Sequence, residues 1–444
     1  MDAREVALLT LNACERQGGW SDGVLKKQIA AAGLDSRDAG LATQLCFGVI
    51  QNRILLDFYL SKFSNIPLRR LEGKVLQALR LGLYQMLFLT RIPHSAAVDQ
   101  SVALTRAHCK NPRAPGMVNA ILRNLERSLD RLPTIPEDDP AEYYATLYSH
   151  PVWLVRELLE TLGSEGTAAF LQADNSQPPI TAMVNTVKTD LEGALEALQA
   201  EGVHGEPHPW LKNCLVLSRS GSLEELDAFQ KGLFYVQDPA SRLAVMALDP
   251  EPGSKVLDMC AAPGGKSFAA AIQMKDQGEI WSCDLHPHKK TLIQKGAQRL
   301  GLTCIRPQTA DGKVRRPEWE GGFDRVLVDA PCSGLGVIRK KPDIRFKDPE
   351  PLAGLPQVQS AILDNAAGYV KPGGVLVYST CTILERENRA VTDAFLAAHP
   401  EFSRERFLLP GPAGEVSEGQ ITLWPQVHGT DGFYICKLRK DGEA

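Results

Sequence analysis

The spacing of apolar residues changes along the chain, and each change predicts a different kind of structure. From residue 1 to 131 apolar positions recur at helical intervals, as in Val6, Leu9 and Ala13, and again in Val75, Leu76, Leu79, Leu83, Met86 and Leu87. Asp2 and Glu5 make a capping pair for the first helix, which Gly18-Gly19 is expected to stop. Residues 41–63 and 71–89 keep the helical period, prolines at 93 and 112–115 separate further helices, and 117–129 is the last. Residues 132–140 hold three prolines and three acids and read as a linker. Over 141–235 the pattern is mixed, with helical 151–162 and 191–201 and strand-like 180–184 and 214–217, which predicts a small α+β subdomain. From Gly253 short apolar runs at 255–259, 279–283, 303–306, 324–328 and 375–378 alternate with helical stretches. That alternation predicts a doubly wound parallel sheet over 236–444, with 420–423 and 432–438 as an antiparallel edge pair.

Composition narrows the class. With 444 residues, 44% hydrophobic and 23% charged, the chain suits a soluble globular protein of two or three domains. No run of about 18 uncharged apolar residues is present to span a membrane. The charged start, residues 1–5, leads into an amphipathic helix rather than a signal peptide, so a cytoplasmic protein is expected. Ten scattered cysteines, with no Cys-x-x-Cys pair, suggest free thiols in a reducing compartment and no metal site. The net charge of −4 conceals an asymmetry: residues 1–131 carry 18 Lys/Arg against 11 Asp/Glu, and the remainder is acidic. A basic first domain suits a polyanionic partner. Arg123 and Arg127, four apart on the last helix, are candidates for an RNA-facing strip.

The candidate chemistry sits at strand ends. The run 324–328 opens into Asp329-Ala-Pro-Cys332-Ser-Gly, and the run 375–378 into Ser-Thr-Cys381-Thr. The first strand of this domain runs into Cys260, Ala261, Ala262, Pro263, Gly264, Gly265 and Lys266 before a helix. Small residues let a ligand approach the backbone, and the helix start presents free N–H groups. The loop is not the G-x-G-x-x-G phosphate fingerprint. Asp284, at the next strand end, suits a ribose, and Asp311, at the third, an adenine amine. That set fits S-adenosylmethionine better than a dinucleotide or ATP. Carbon 5 of a pyrimidine is not nucleophilic until a thiolate adds to carbon 6, so a thiol pair points to covalent carbon methylation. Asp329 could hydrogen-bond or protonate the N3 edge. Spacing leaves open which thiol attacks.

D-M-C-A-A-P-G-G-K, D-A-P-C-S-G-L-G and Y-S-T-C-T with its later E-x-E-N resemble the RNA 5-methylcytosine methyltransferases. The 1–131 segment, at Val118-Asn119 and Leu122-Arg123, resembles the NusB-like RNA-binding bundle. Together they resemble the bacterial 16S rRNA cytosine-C5 methyltransferases of the Fmu/Sun (RsmB) type. The resemblance implies an all-α NusB-like bundle followed by an α/β, Rossmann-like methyltransferase domain with a small α+β insert. It implies Cys381 as nucleophile and Cys332 as the cysteine assisting product release. It also implies S-adenosylmethionine contacts at Cys260 to Lys266, Asp284, Asp311 and Asp329. The implied partner of this monomer is 16S rRNA or a small-subunit assembly intermediate, with no DNA. Met183, where the family often has arginine, and Pro239 depart from the pattern and bear on RNA contact. An RNA-binding assembly factor or a small-molecule methyltransferase are the alternatives.

Overall fold

A computed structural model of the chain describes residues 1–17, 20–218 and 221–442. The expected stop at Gly18-Gly19 lies outside the described residues. Contacts divide the chain into two compact units, 1–176 with 340–347, and 177–339 with 348–444.

The first unit is helical: α1 (Ala3–Gln17), α2 (Ser21–Ala32), α3 (Ser36–Gln51), α4 (Arg53–Phe63), α5 (Gly73–Phe88), α6 (His94–His108), α7 (Ala114–Glu126), α8 (Pro140–Leu147) and α9 (Val152–Asp174). The Asp2 carboxylate accepts from the Glu5 N–H at 2.8 Å and so caps α1. The helical pattern expected over 41–63 is two helices. At Asn52 the backbone leaves helical angles, its amide donates to the Gly48 carbonyl, and the Ile54 N–H turns to the Ser149 hydroxyl at 2.8 Å. Helix α5 is the axis of the bundle, buried from Val75 to Met86. Its one buried cation, Arg80, is held by Asp57 through two bonds of 2.7 Å. Gly82 matters because a Cβ there would lie 2.6 Å from Leu122, so α7 reaches α5 closely only over glycine.

Residues 132–139 form no helix or strand, yet α8 and α9 beyond them pack with the bundle rather than with the insert. The reason is a buried polar knot. Arg345 is fully buried and donates to the Gln51 carbonyl (2.6 Å), the Ser149 carbonyl (2.9 Å) and Asn175 Oδ1 (3.1 Å). His150, also fully buried, bonds Asp174 at 2.9 Å. Residues 340–347 thus belong to the helical unit although they follow the Cys332 loop in sequence.

The second unit holds two sheets. The smaller, ordered β2-β3-β1-β4, contains β1 (Ile180–Val184), β2 (His204–Pro207), β3 (Cys214–Ser218) and β4 (Phe234–Val236), with α10 (Leu191–Ala200) and the short α11 (Asp227–Gln230) beside it. Strand side chains alternate between faces, so Ala182 and Val184 pack under α10 while Met183 enters the larger core with Tyr235 and Cys214. Met183 is 3% exposed and fills core rather than presenting an RNA contact.

Helix α12 (Pro239–Leu248) leads to the main sheet, and Pro239 sits at its N1 position behind the Asp238 cap, where a missing N–H costs nothing. Pro239 therefore has a local structural use. The main elements follow as β5 (Lys255–Asp258), α13 (Gly265–Gln273), β6 (Glu279–Asp284), α14 (Pro287–Leu300), β7 (Ile305–Thr309) and β8 (Phe323–Asp329). Then come α15 (Pro349–Leu352), α16 (Leu355–Tyr369), β9 (Val370–Thr380), α17 (Arg389–Ala398), β10 (Phe402–Arg404), the small pair β11 (Phe407–Leu408) and β12 (Glu415–Val416), β13 (Gln420–Leu423), α18 (Pro425–His428) and β14 (Phe433–Lys440).

The eight-stranded order is β10-β14-β9-β8-β5-β6-β7, with β13 on β14; β5 to β9 are parallel and β14 is antiparallel. The expected edge pair forms, but β14 is interior, flanked by β9 and β10, because all its residues from Phe433 to Leu438 are buried. Val256, Leu327 and Val377 face the core under α12 to α14, while Leu257, Val326 and Leu376 face α16 and α17. Helices on both faces make the sheet doubly wound. Strand order reverses between β5 and β8, the place where such sheets bind ligands.

Candidate active site

Every acid and thiol singled out from the sequence stands at the carboxyl edge of this sheet. Register explains why: Asp258 is opposite Ser282 and Leu327, Asp284 opposite Thr309, and Asp329 opposite Ser379. The chain after Asp258 turns through Cys260 to Gly264, and α13 begins at Gly265. Gly264 has φ +115°, and a Cβ there would lie 2.3 Å from the Phe268 ring, so both backbone and space call for glycine. The Ala261 N–H donates to the Cys283 carbonyl at 2.7 Å, which ties this turn to β6. Ala261 is buried, Ala262 and Gly265 are partly exposed, and Pro263 is exposed.

Lys266, in the first turn of α13, crosses the switch point to β8. Its ammonium lies 2.7 Å from Asp329 Oδ2, and Ser379 donates to Asp329 Oδ1 at 2.9 Å. Burial works against the Lys266 charge, but Asp329 and Cys381 outweigh it and hold its pKa above the ordinary lysine value. Both Asp329 oxygens thus accept hydrogen bonds, one from Lys266 and one from Ser379. Asp284 is 5% exposed; Oδ1 takes the His286 N–H at 3.2 Å and lies 3.6 Å from Lys289. Asp311, beyond β7, accepts from the Lys313 N–H at 3.0 Å. Burial pushes the Cys260 thiol far up, and the Asp258 and Asp329 charges add to it.

The two thiols meet. Cys332 Sγ lies 3.3 Å from Cys381 Sγ, and both residues are partly exposed. Hydroxyls of the next residues, Ser333 and Thr382, are 2.7 Å apart, and the Gly336 N–H donates to the Cys381 carbonyl. The two loops therefore run side by side for several residues. The hydrogen bond to Cys381 is the largest cause that pushes the Cys332 thiol up; burial and the charges of Cys381, Glu387 and Asp329 act in the same direction. Among the described residues no His/Cys/Asp/Glu group could hold a metal ion.

Asp258, the last residue of β5, also stands at this edge. It is 1% exposed, Oδ2 accepts from Ser267 at 2.7 Å, and Oδ1 has no partner. Burial pushes its carboxyl up to about 7, against the pull of Ser267. An acid with a raised folded value leaves the folded state preferring the proton, so stability falls as pH climbs from about 4 to 7. Asp258→Asn should remove that slope and make the ligand-free protein more stable at pH 8, by up to about 4 kcal/mol. Melting curves at pH 5 and pH 8 measure it; a parent–variant difference that is the same at both would sink the assignment.

Arg123 pairs with Asp99 at 2.8 Å and Glu126 at 3.0 Å on a partly exposed face, and Arg127 is exposed. Arg37, Arg69, Arg70, Arg91, Arg106 and Arg113 are exposed cations of the same unit.

Three family models match the chain in succession: the NusB family over residues 1–127, an RsmF/B-like ferredoxin-like domain over 150–224, and the 16S rRNA methyltransferase RsmB/F model over 245–439. The chain is 40% identical over 446 residues to the probable ribosomal RNA small subunit methyltransferase B of Bacillus subtilis (strain 168), covering 99% of each. It is 34% identical over 413 residues to the ribosomal RNA small subunit methyltransferase B of Klebsiella pneumoniae subsp. pneumoniae, covering 92% of this chain and 91% of that one. The solved structure of PH0851 resembles it with a TM-score of 0.81 at 26% identity, covering 99% of both chains.

Proposed function

Because this chain belongs to the RsmB/F family of ribosomal RNA small subunit methyltransferases, we propose that it methylates carbon 5 of a cytosine in 16S rRNA through a covalent cysteine adduct. The observation that carries this reading is the 3.3 Å thiol pair beside Lys266 and Asp329. A methyltransferase acting on an amine needs no thiol, since the amine has its own lone pair.

The donor set fits S-adenosylmethionine on one observation in particular. The partnerless, buried Asp258 Oδ1 can accept from an ammonium such as the methionyl one. Asp284 would take the ribose hydroxyls and Asp311 the adenine amine, with residues 260–266 as the floor. S-adenosylmethionine supplies the electrophilic methyl group when bound.

Cys332 keeps its proton while Cys381, the thiol whose charge supports Lys266, attacks carbon 6 as a thiolate. The sulfur pair forms the S–C6 bond, the C5=C6 pair becomes C4=C5, and the C4=N3 pair goes to N3, which takes a proton from the Lys266 side. Asp329 accepts from the exocyclic amine, which cytosine has and uracil lacks. After carbon 5 has been methylated, C4=N3 is restored and N3 gives its proton back to the Lys266 side; the Cys332 thiolate removes the remaining carbon-5 proton, C5=C6 reforms and the C6–S bond breaks, returning Cys381 as a thiolate. The target base must leave its stack to reach this edge. The exposed arginines of the helical unit supply phosphate contacts.

Purified protein with labelled S-adenosylmethionine and 16S rRNA should yield 5-methylcytidine on nucleoside analysis; methylation of another atom would overturn the reading. Asp284→Ala should weaken S-adenosylmethionine binding by about 1–3 kcal/mol in calorimetry, the loss of charged hydrogen bonds. Unchanged affinity would remove Asp284 from the site.

A further inference from the structure

The reaction drawn above makes no use of the E-x-E-N stretch, yet its second glutamate reaches the thiols. Glu387 is fully buried in the turn that follows Cys381. Its Oε2 accepts from the Ser333 N–H at 2.9 Å and from the Gln359 amide at 2.9 Å. Gln359, on α16, also donates to the Pro331 carbonyl at 3.0 Å. Glu387 therefore grips both neighbours of Cys332, Ser333 directly and Pro331 through Gln359. Its Oε1 is buried without a hydrogen-bond partner. Among the described residues Glu387 makes no ion pair, whereas Lys266 pairs with Asp329.

We propose that Glu387 is the positioning residue that decides which thiol attacks: it presses the Cys332 loop against Cys381 and opposes a second negative charge at Cys332. This rests on the covalent reading above. The groups that face Cys332 are Cys381 and Tyr378 from β9 and its end, Asp329 from β8, and Glu387 from the turn; Lys266 meets them through Asp329. Asp329 is paired with Lys266 at 2.7 Å, and among the described residues Glu387 has no such partner. While Cys381 is charged, Cys332 donates its proton to it. Once Cys381 is a thioether that acceptor is gone, Cys332 sheds its proton to solvent, and it can take the carbon-5 proton. The order of the two thiols follows from this sequence of charges.

The test is partition of limiting iodoacetamide between Cys332 and Cys381 from pH 6 to 9.5, read by peptide mass spectrometry on the full-length protein without RNA. The parent should label at Cys381. Glu387→Gln keeps the shape and the accepting oxygen but removes the charge, and should raise the Cys332 share at pH 7.5 roughly three- to tenfold. Thr382→Val loosens the loops without touching the charge and should leave the partition as in the parent. An unchanged partition in Glu387→Gln, or an equal change in Thr382→Val, overturns the proposal. Should Glu387→Gln not fold, Glu387→Asp, which draws the charge back by one methylene, should move the partition the same way by less, and no movement would overturn it. Because no RNA is involved, failure here leaves the adduct experiment below to judge the covalent reading separately.

Discussion

Cys332→Ala, incubated with labelled 16S rRNA and S-adenosylmethionine, should run on a denaturing gel as a shifted protein–RNA band, and Cys381→Ala should not. The asymmetry follows from the order of bonds. Cys381→Ala has no sulfur to add to carbon 6, so neither adduct nor methyl transfer occurs. Loss of turnover should be on the order of 10⁴–10⁶, the size seen when a covalent nucleophile is removed. Cys332→Ala keeps the attacking thiol, methylates, and then lacks the group that removes the carbon-5 proton, so RNA stays attached. On that covalent reading the 3.3 Å separation places both sulfurs against one base. A band from Cys381→Ala alone would exchange the two roles. Full turnover in both variants would end the covalent reading.

Arg345→Ala should cost the helical unit about 3 kcal/mol and lower its melting temperature by roughly 6–12 °C. Three acceptors, the carbonyls of Gln51 and Ser149 and the Asn175 amide oxygen, would lose their donor inside a fully buried site. Part of the loss is offset, because burial already works against the arginine charge and pulls its pKa down to about 10. Arg345→Lys should recover little, since one ammonium cannot reach three acceptors spread over a planar fork. Calorimetric melts check this, and an unshifted transition in Arg345→Ala would show that the knot contributes nothing to folding.

These two expectations separate what the chain states openly from what folding decides. The strands ending at Asp258, Asp284 and Asp329 were legible because each is a short apolar run closed by an acid or by proline and glycine. Parallel strands start and stop together, so acids and thiols placed after them must share one edge. The basic character of residues 1–131 was equally open to reading, since charge is a sum over residue types.

Contacts across long separations were not. Arg345 reads as one more cation in a polar stretch, and only the packing of α3, α8 and α9 makes it a buried donor to three distant acceptors. The pairing of Arg123 with Glu126, three residues on, was within reach of the sequence, but that with Asp99, on another helix, was not. Met183 was expected to bear on RNA contact, but strand alternation and the second sheet turned it inward. The same limit applies to the thiols. Periodicity brings Cys332 and Cys381 to neighbouring strand ends, but the 3.3 Å contact depends on the register of β8 with β9, on the Ser333–Thr382 bond and on Glu387, which reaches Ser333 from 54 residues away. Local propensity sets where an element begins and which face it buries; the partners of a buried charge are set only when distant segments compete for the same space.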